Sequence, residues 1–127
     1  LDGGIASWVR SQAAALSDQY FEKYGDQIEL IICNNDDMAL GVIDTVDRRG
    51  LTFSNIVGID GTPAGLAAVE QGKMLGTVVI DYAAQAQLIF DLASTLAVDG
   101  DPKEVTDIGA DRTGRAPMYV MKADFIP

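Results

Sequence analysis

The residues placed to do chemistry are few. Asn34, Asn35, Asp36 and Asp37 follow the apolar run Ile31-Ile32-Cys33 without a break, and Asp60 and Asp81 each end a later apolar run. A turn needs one or two such polar residues, so four in a row raise the question of what they hold. Asn donates and accepts hydrogen bonds, and Asp adds a charged acceptor, all in fixed directions. A sugar hydroxyl also does both, so the set suits a polyhydroxylated ligand. Trp8 adds a flat apolar face of the kind that covers the C–H face of a pyranose. Plainer roles compete. Asp36 reads as the N-cap of the helix that follows it, Asp81 as the N-cap of a later helix, and Trp8 as core packing. With the caps so assigned, Asn35 and Asp60 stand out as ligand candidates.

Other chemistries are closed off. The 127 residues contain no His, which excludes His-based triads and His metal sites. Cys33 is the single cysteine; in an apolar strand it reads as a small core residue. The formal charge of −10, from 19 acidic and 9 basic residues, argues against a nucleic-acid partner, which needs clustered Lys and Arg. No apolar run is long enough to span a membrane. No signal peptide is visible, and a start at Leu1 reads as the interior of a longer protein. With 48% apolar and 22% charged residues the chain is globular and of one-domain size.

The elements that must position these residues follow from periodicity and punctuation. A first helix is expected from Ser7, as N-cap, to Tyr24, with Val9, Ala13, Leu16 and Tyr20 on one face and Gly25 as stop. Glu29 to Cys33 reads as a strand buried on both faces. A second helix runs from Asp37 to Arg49, with Met38, Val42 and Val46 on its stripe, Arg48 and Arg49 at its C-terminal dipole, and Gly50 as stop. The strand 55–60 ends in Asp60. Thr62 as cap, Pro63 at the first position and Gly72 as stop frame a third helix. The strand 74–81 leads into a fourth helix, 82–97, which carries Ala86, Phe90 and Ala93. Residues 99–117 read as loop with a short strand near Val105 to Ile108, Met118 to Met121 as a last strand, and 125–127 as unassigned tail. Strand and helix alternate, so the fold class is α/β: a parallel sheet with helices on both faces. Ligands in such folds sit at the carboxyl ends of the strands. Asn34, Asn35, Asp60 and Asp81 all stand there. Trp8 joins them if the first helix packs antiparallel to the strands.

A phosphoacceptor receiver domain is a competing reading. Asp36, Asp37 and Asp60 would hold Mg²⁺ and accept a phosphoryl group. That reading also needs a Lys at the end of the last strand; none follows Ile80, and Lys73 precedes that strand.

The stretches ICNNDDMALG, VGIDGTPAGLAAVEQGKMLGTVVID and QAQLIFDLASTLA, in this order, resemble the type I periplasmic sugar-binding proteins. Within that family they look most like the galactose/glucose-binding proteins that serve ABC transporters. The likeness runs from about Trp8 to Ala97 and more loosely to Tyr119. It implies two α/β lobes closing on one sugar, no enzymatic activity and no cofactor. By position it implies that Asn35 and Asp60 bond sugar hydroxyls and that Trp8 stacks on the ring. Ile80 stands where the family often has Asn, which removes one hydrogen bond. Glu29 matches a residue that completes a Ca²⁺ site in some members, but no metal is expected here. Residues 1–81 would form most of the C-terminal sugar-binding lobe. Residues 82–115 would cross to the N-terminal lobe, and 116–127 would return as a strand and tail. A monosaccharide ligand and an ABC permease are the implied partners. The implied location is periplasmic or extracellular, with a lipid anchor as an option. A piece of this extent is expected to self-associate through its open sheet edge and apolar helix face. The effector core of a sugar-responsive LacI-type regulator shares the fold and is the alternative.

Overall fold

In the computed structural model, the structure describes residues 1–106 and the strands Ile108–Ala110, Pro117–Tyr119 and Asp124–Ile126. Three apolar stretches form β1 (Ile31–Ile32), β2 (Ile56–Asp60) and β3 (Gly76–Val79), paired in parallel. They lead into α2 (Asp36–Arg49), α3 (Pro63–Glu70) and α4 (Tyr82–Ala97), and α1 (Arg10–Tyr24) precedes them all. The helix between each pair of strands is what makes them parallel, since a short hairpin joins only antiparallel neighbours. The chain divides between Ile80 and Asp81 into two compact units, the first of which also takes in the strand Asp124–Ile126.

In the first unit the sheet order is β1-β2-β3-β6, where β6 (Asp124–Ile126) runs antiparallel to β3 and sets Ile126 opposite Thr77. The sheet is therefore not wholly parallel. Three residues are too short a run to show periodicity, and an antiparallel edge strand is a common addition to a parallel sheet. β1 also departs from expectation. It is two residues long, lies at the edge of the sheet, and leaves Ile32 67% exposed. No strand pairs with its outer edge among the described residues, and with Ile32 so exposed its apolar run is not buried on both faces. Cys33, just beyond, is buried, and its N–H donates to the Val57 carbonyl at 2.8 Å.

α1 starts at Arg10, not at Ser7. Ser7 and Trp8 have φ of 50° and 64°, the left-handed region, whereas an N-cap residue is extended. Val9 takes the cap position without a side-chain bond, and its N–H closes the turn on the Ala6 carbonyl. α1 lies alongside α2 in the same direction. Thr45 Oγ1 donates to the Ala14 carbonyl at 2.9 Å, and Asp18 accepts from Arg48 and Arg49 one turn further on. Gly41 permits this approach, because a Cβ there would strike the Arg10 carbonyl. The expected stripe of Met38, Val42 and Val46 is buried with Phe21, Cys33, Ile56 and Met74 in one cluster. Phe21 meets Phe53 edge-on at 5.5 Å. Local signals set the ends: Gly50 (φ 65°) closes α2, Thr62 caps α3 with Pro63 behind it, and Gly72 (φ 68°) follows α3.

The second unit holds α4 and an antiparallel pair, β4 (Ile108–Ala110) with β5 (Pro117–Tyr119). β4 begins later than the expected 105–108, because Asp101 and Pro102 start a 3₁₀ turn in which the Val105 and Thr106 N–H groups both donate to the Pro102 carbonyl. The expected strand 118–121 falls at 117–119, and residues 120–121 lie outside the described residues. In α4 only Leu92 is buried, while Ala86, Phe90 and Ala93 are exposed.

Two outcomes test this packing. Gly41→Ala should gain about 1 kcal/mol of helix propensity but lose about 1–3 kcal/mol from the overlap with the α1 backbone. The expected net result is a lower urea midpoint; a raised midpoint would mean that α1 yields freely. Burial pushes the Cys33 thiol up to about 11, from an ordinary value of 9.0. A thiol kept protonated in the fold contributes stability that is complete below the unfolded value and is lost as pH rises through the folded one. Between pH 9 and 11 the unfolding midpoint should therefore fall more steeply in the wild type than in Cys33→Ala; parallel curves would contradict the burial.

Candidate functional site

The carboxyl edge of the sheet brings the expected residues level with one another. Asn35 and Asp60 each lie three residues beyond the paired Ile32 and Val57. Adjacent strands are about 4.8 Å apart, so the two residues leave neighbouring strands at one height. α1 and α2 run side by side in one direction, so the turn that carries Trp8 lies at this same end.

Asn35, not Asp36, is the N-cap of α2. Its backbone is extended (φ −154°, ψ 166°) and its Oδ1 accepts from the Met38 N–H at 2.9 Å. The helix starts one residue earlier than expected because Asp36 is drawn into the interior. The other end of the Asn35 amide, Nδ2, donates to the Trp8 carbonyl at a long 3.5 Å. Asn35 thus ties the Trp8 turn to the start of α2 and keeps an N–H in reach of the edge. Trp8 is 62% exposed, which removes the reading of it as core packing. Asn34 and Asp37 are exposed, and Asp81 caps α4 as expected, accepting from the Ala84 N–H at 2.9 Å.

Asp60 is half-buried at the last position of β2, with φ at 125°. A residue with a side chain holds such a conformation at a cost of about 1–3 kcal/mol. Its carbonyl accepts from the Ile80 N–H at 3.2 Å. Its carboxylate has no hydrogen bond or ion pair among the described residues. It is therefore an acceptor with capacity to spare, on the edge where this fold places ligands.

Asp36 is fully buried, and sequence reasoning missed its role. Its Oδ2 accepts from the Thr62 N–H at 2.7 Å and from Thr62 Oγ1 at 3.0 Å, and its Oδ1 from Thr77 Oγ1 at 2.6 Å. Gly58 and Gly65 make room for it, since a Cβ on either would run into the carboxylate. Those two glycines, flanking Thr62, were the available signal. A carboxylate enclosed in this way faces neither solvent nor a phosphodonor, which overturns the receiver reading of Asp36. Lys73 is engaged by Asp47 at 2.6 Å.

Among the described residues no three His, Cys, Asp or Glu side chains gather to hold a metal. Two cavities, of about 190 and 280 Å³, lie at the other end of the sheet, around Leu51, Thr52 and Phe53. Neither contains a candidate residue. The edge is the stronger candidate, because it gathers directed hydrogen-bonding groups and a strained backbone, whereas the cations that line the cavities, Lys73 and Arg49, are already engaged by Asp47 and Asp18.

The family model for a periplasmic binding protein domain matches residues 3–102. A xylitol-binding protein of Mycolicibacterium smegmatis is 33% identical over 118 residues, which is 93% of this chain and 31% of that protein. A D-galactose/methyl-galactoside binding periplasmic protein of Haemophilus influenzae is 36% identical over 72 residues, 57% of this chain and 22% of that protein. The Caulobacter myo-inositol binding protein, solved with myo-inositol, superposes with a TM-score of 0.70 at 26% identity, over 95% of this chain and 38% of its own. The chain spans well under half the length of each of these relatives. The match over most of its residues, on a parallel sheet whose strands lead into helices, shows that this chain belongs to the periplasmic binding proteins of type I fold.

Proposed function

We propose that the protein is the solute-binding component of an ABC transporter, and that Asn35, Asp60 and Trp8 form one wall of its ligand site. The single observation behind this is Asp60: a strained residue at the carboxyl edge of the sheet whose carboxylate is unengaged among the described residues. A carboxylate accepts from hydroxyls, the Asn35 Nδ2 donates to them, and the exposed Trp8 ring covers a C–H face. The ligand is a small polyhydroxylated molecule, and we assign a galactose- or glucose-like monosaccharide. The relatives named for D-galactose and for xylitol support that hydroxyl chemistry. Ile80, whose N–H bonds the Asp60 carbonyl, has no side-chain hydrogen-bonding group to offer a ligand.

Binding involves no covalent step. Residues 1–81 present one face to the ligand, and a second lobe, to which 82–115 cross, closes over it. Ligand favours the closed form because only that form contacts it from both sides. A permease then reads the closed form, in the periplasm or at the outer cell surface.

In the full-length protein, Asp60→Ala should weaken D-galactose or xylitol binding roughly tenfold to a hundredfold, since a hydrogen bond to a charged group is worth about 1.5–3 kcal/mol. Calorimetry on folded protein showing an unchanged affinity would falsify the assignment. Trp8 is the single tryptophan of these 127 residues. In a full-length protein with its other tryptophans replaced, ligand should change Trp8 emission, and Trp8→Ala should weaken binding; an unaltered spectrum together with full affinity in Trp8→Ala would remove the ring from the site.

A further inference from the structure

We infer that Asp36 and Thr77 are positioning residues for the Asp60 carboxylate, an inference that rests on the proposed role of Asp60. A backbone at φ 125° persists only where its surroundings hold it. The chain from Asp60 to Thr62 is gripped at three successive points. The Asp60 carbonyl accepts from the Ile80 N–H at 3.2 Å, the Gly61 N–H donates to Thr77 Oγ1 at 3.3 Å, and the Thr62 N–H donates to Asp36 Oδ2 at 2.7 Å. The last two grips are coupled. A Thr hydroxyl has one proton and two lone pairs. Thr77 directs its proton to Asp36 Oδ1 at 2.6 Å, which leaves its lone pairs for the Gly61 N–H. Asp36 therefore orients the hydroxyl that holds Gly61, and itself holds Thr62. Asp36 and Thr77 both have no solvent exposure, so water does not replace either bond. Gly61, at φ 69°, completes the turn against Val79, where a Cβ would collide. Neither Asp36 nor Thr77 is exposed to touch a ligand; they act through the turn.

Purely structural residues would lower stability and leave affinity alone, so the test reads both in the full-length protein. Thr77→Val keeps the shape and removes the hydroxyl. Its Gly61 and Thr62 amides should exchange with deuterium about tenfold faster, and its affinity for D-galactose, or for xylitol as second probe, should fall about tenfold, the loss expected when one hydrogen bond of the network goes. Thr77→Ser, which retains the hydroxyl, should restore both. On an Asp60→Ala background, Thr77→Val should cost no further affinity. If Thr77→Val does not fold, Asp36→Asn carries the same expectations. Wild-type exchange at Gly61 in a folded variant overturns the inference. So does unchanged affinity in Thr77→Val where Asp60→Ala weakens binding. An unchanged affinity in Asp60→Ala counts against the proposed site itself, and the exchange rate at Gly61, which needs no ligand, distinguishes the two failures.

Discussion

A carboxylate with no access to water sits where α2, α3 and β3 meet. Burying such a group is costly unless its oxygens are satisfied. Asp36 meets that condition with three donors from two residues, Thr62 and Thr77. Much of the first unit depends on the arrangement. Asp36 is the first residue of α2, Thr62 is the cap of α3, and Thr77 lies within β3. One side chain thus ties the starts of α2 and α3 to β3. The space is made by leaving out side chains at Gly58 and Gly65, so the polar junction is also a place of close approach. Hydrogen bonds to a charged group are stronger than neutral ones and more directional than apolar contacts, so a junction of this kind fixes angles as well as distances.

The candidate edge inherits its geometry from that junction and from the cap beside it. Asn35 divides its amide between the start of α2 and the turn of Trp8. That division couples an aromatic face to a hydrogen-bonding group without a long loop between them. Trp8 is held outward because Ser7 and Trp8 both take left-handed backbone, which turns the chain sharply before α1 begins. The edge is then a short row: a ring, an amide, and a carboxylate. Such a row can hold hydroxyl groups from one side. A ligand held from one side alone stays open to water on the other; the chain spans only part of its relatives' length.

How much of this was legible in the sequence depended on how local the cause was. α2, α3 and α4 were readable because Gly50, Thr62 with Pro63, Gly72 and Asp81 act within a turn of their own helices. The level placement of Asn35 and Asp60 was readable from the alternation of strand and helix. The exchange of roles between Asn35 and Asp36 was not. Either residue type caps a helix, and what decides between them is the bonding of Asp36 to residues 26 and 41 positions away. The length of β1 was misread for a similar reason, since a strand's burial is set by its neighbours and, among the described residues, β1 has one only on the β2 side. Ser7 looked like a cap because a left-handed Ser-Trp pair carries no compositional mark. β6 is three residues long and leaves no period to detect.

The most direct measurement of Asp60 as a ligand-holding residue is a crystal structure of the full-length protein with D-galactose or xylitol bound. The Asp60 carboxylate and the Asn35 Nδ2 should each lie about 2.7–3.2 Å from a ligand hydroxyl, with the Trp8 ring over a C–H face and Asp36 still enclosed by Thr62 and Thr77. A ligand seated at the other end of the sheet, against Leu51 and Phe53, or one that leaves Asp60 without a polar contact, would contradict it.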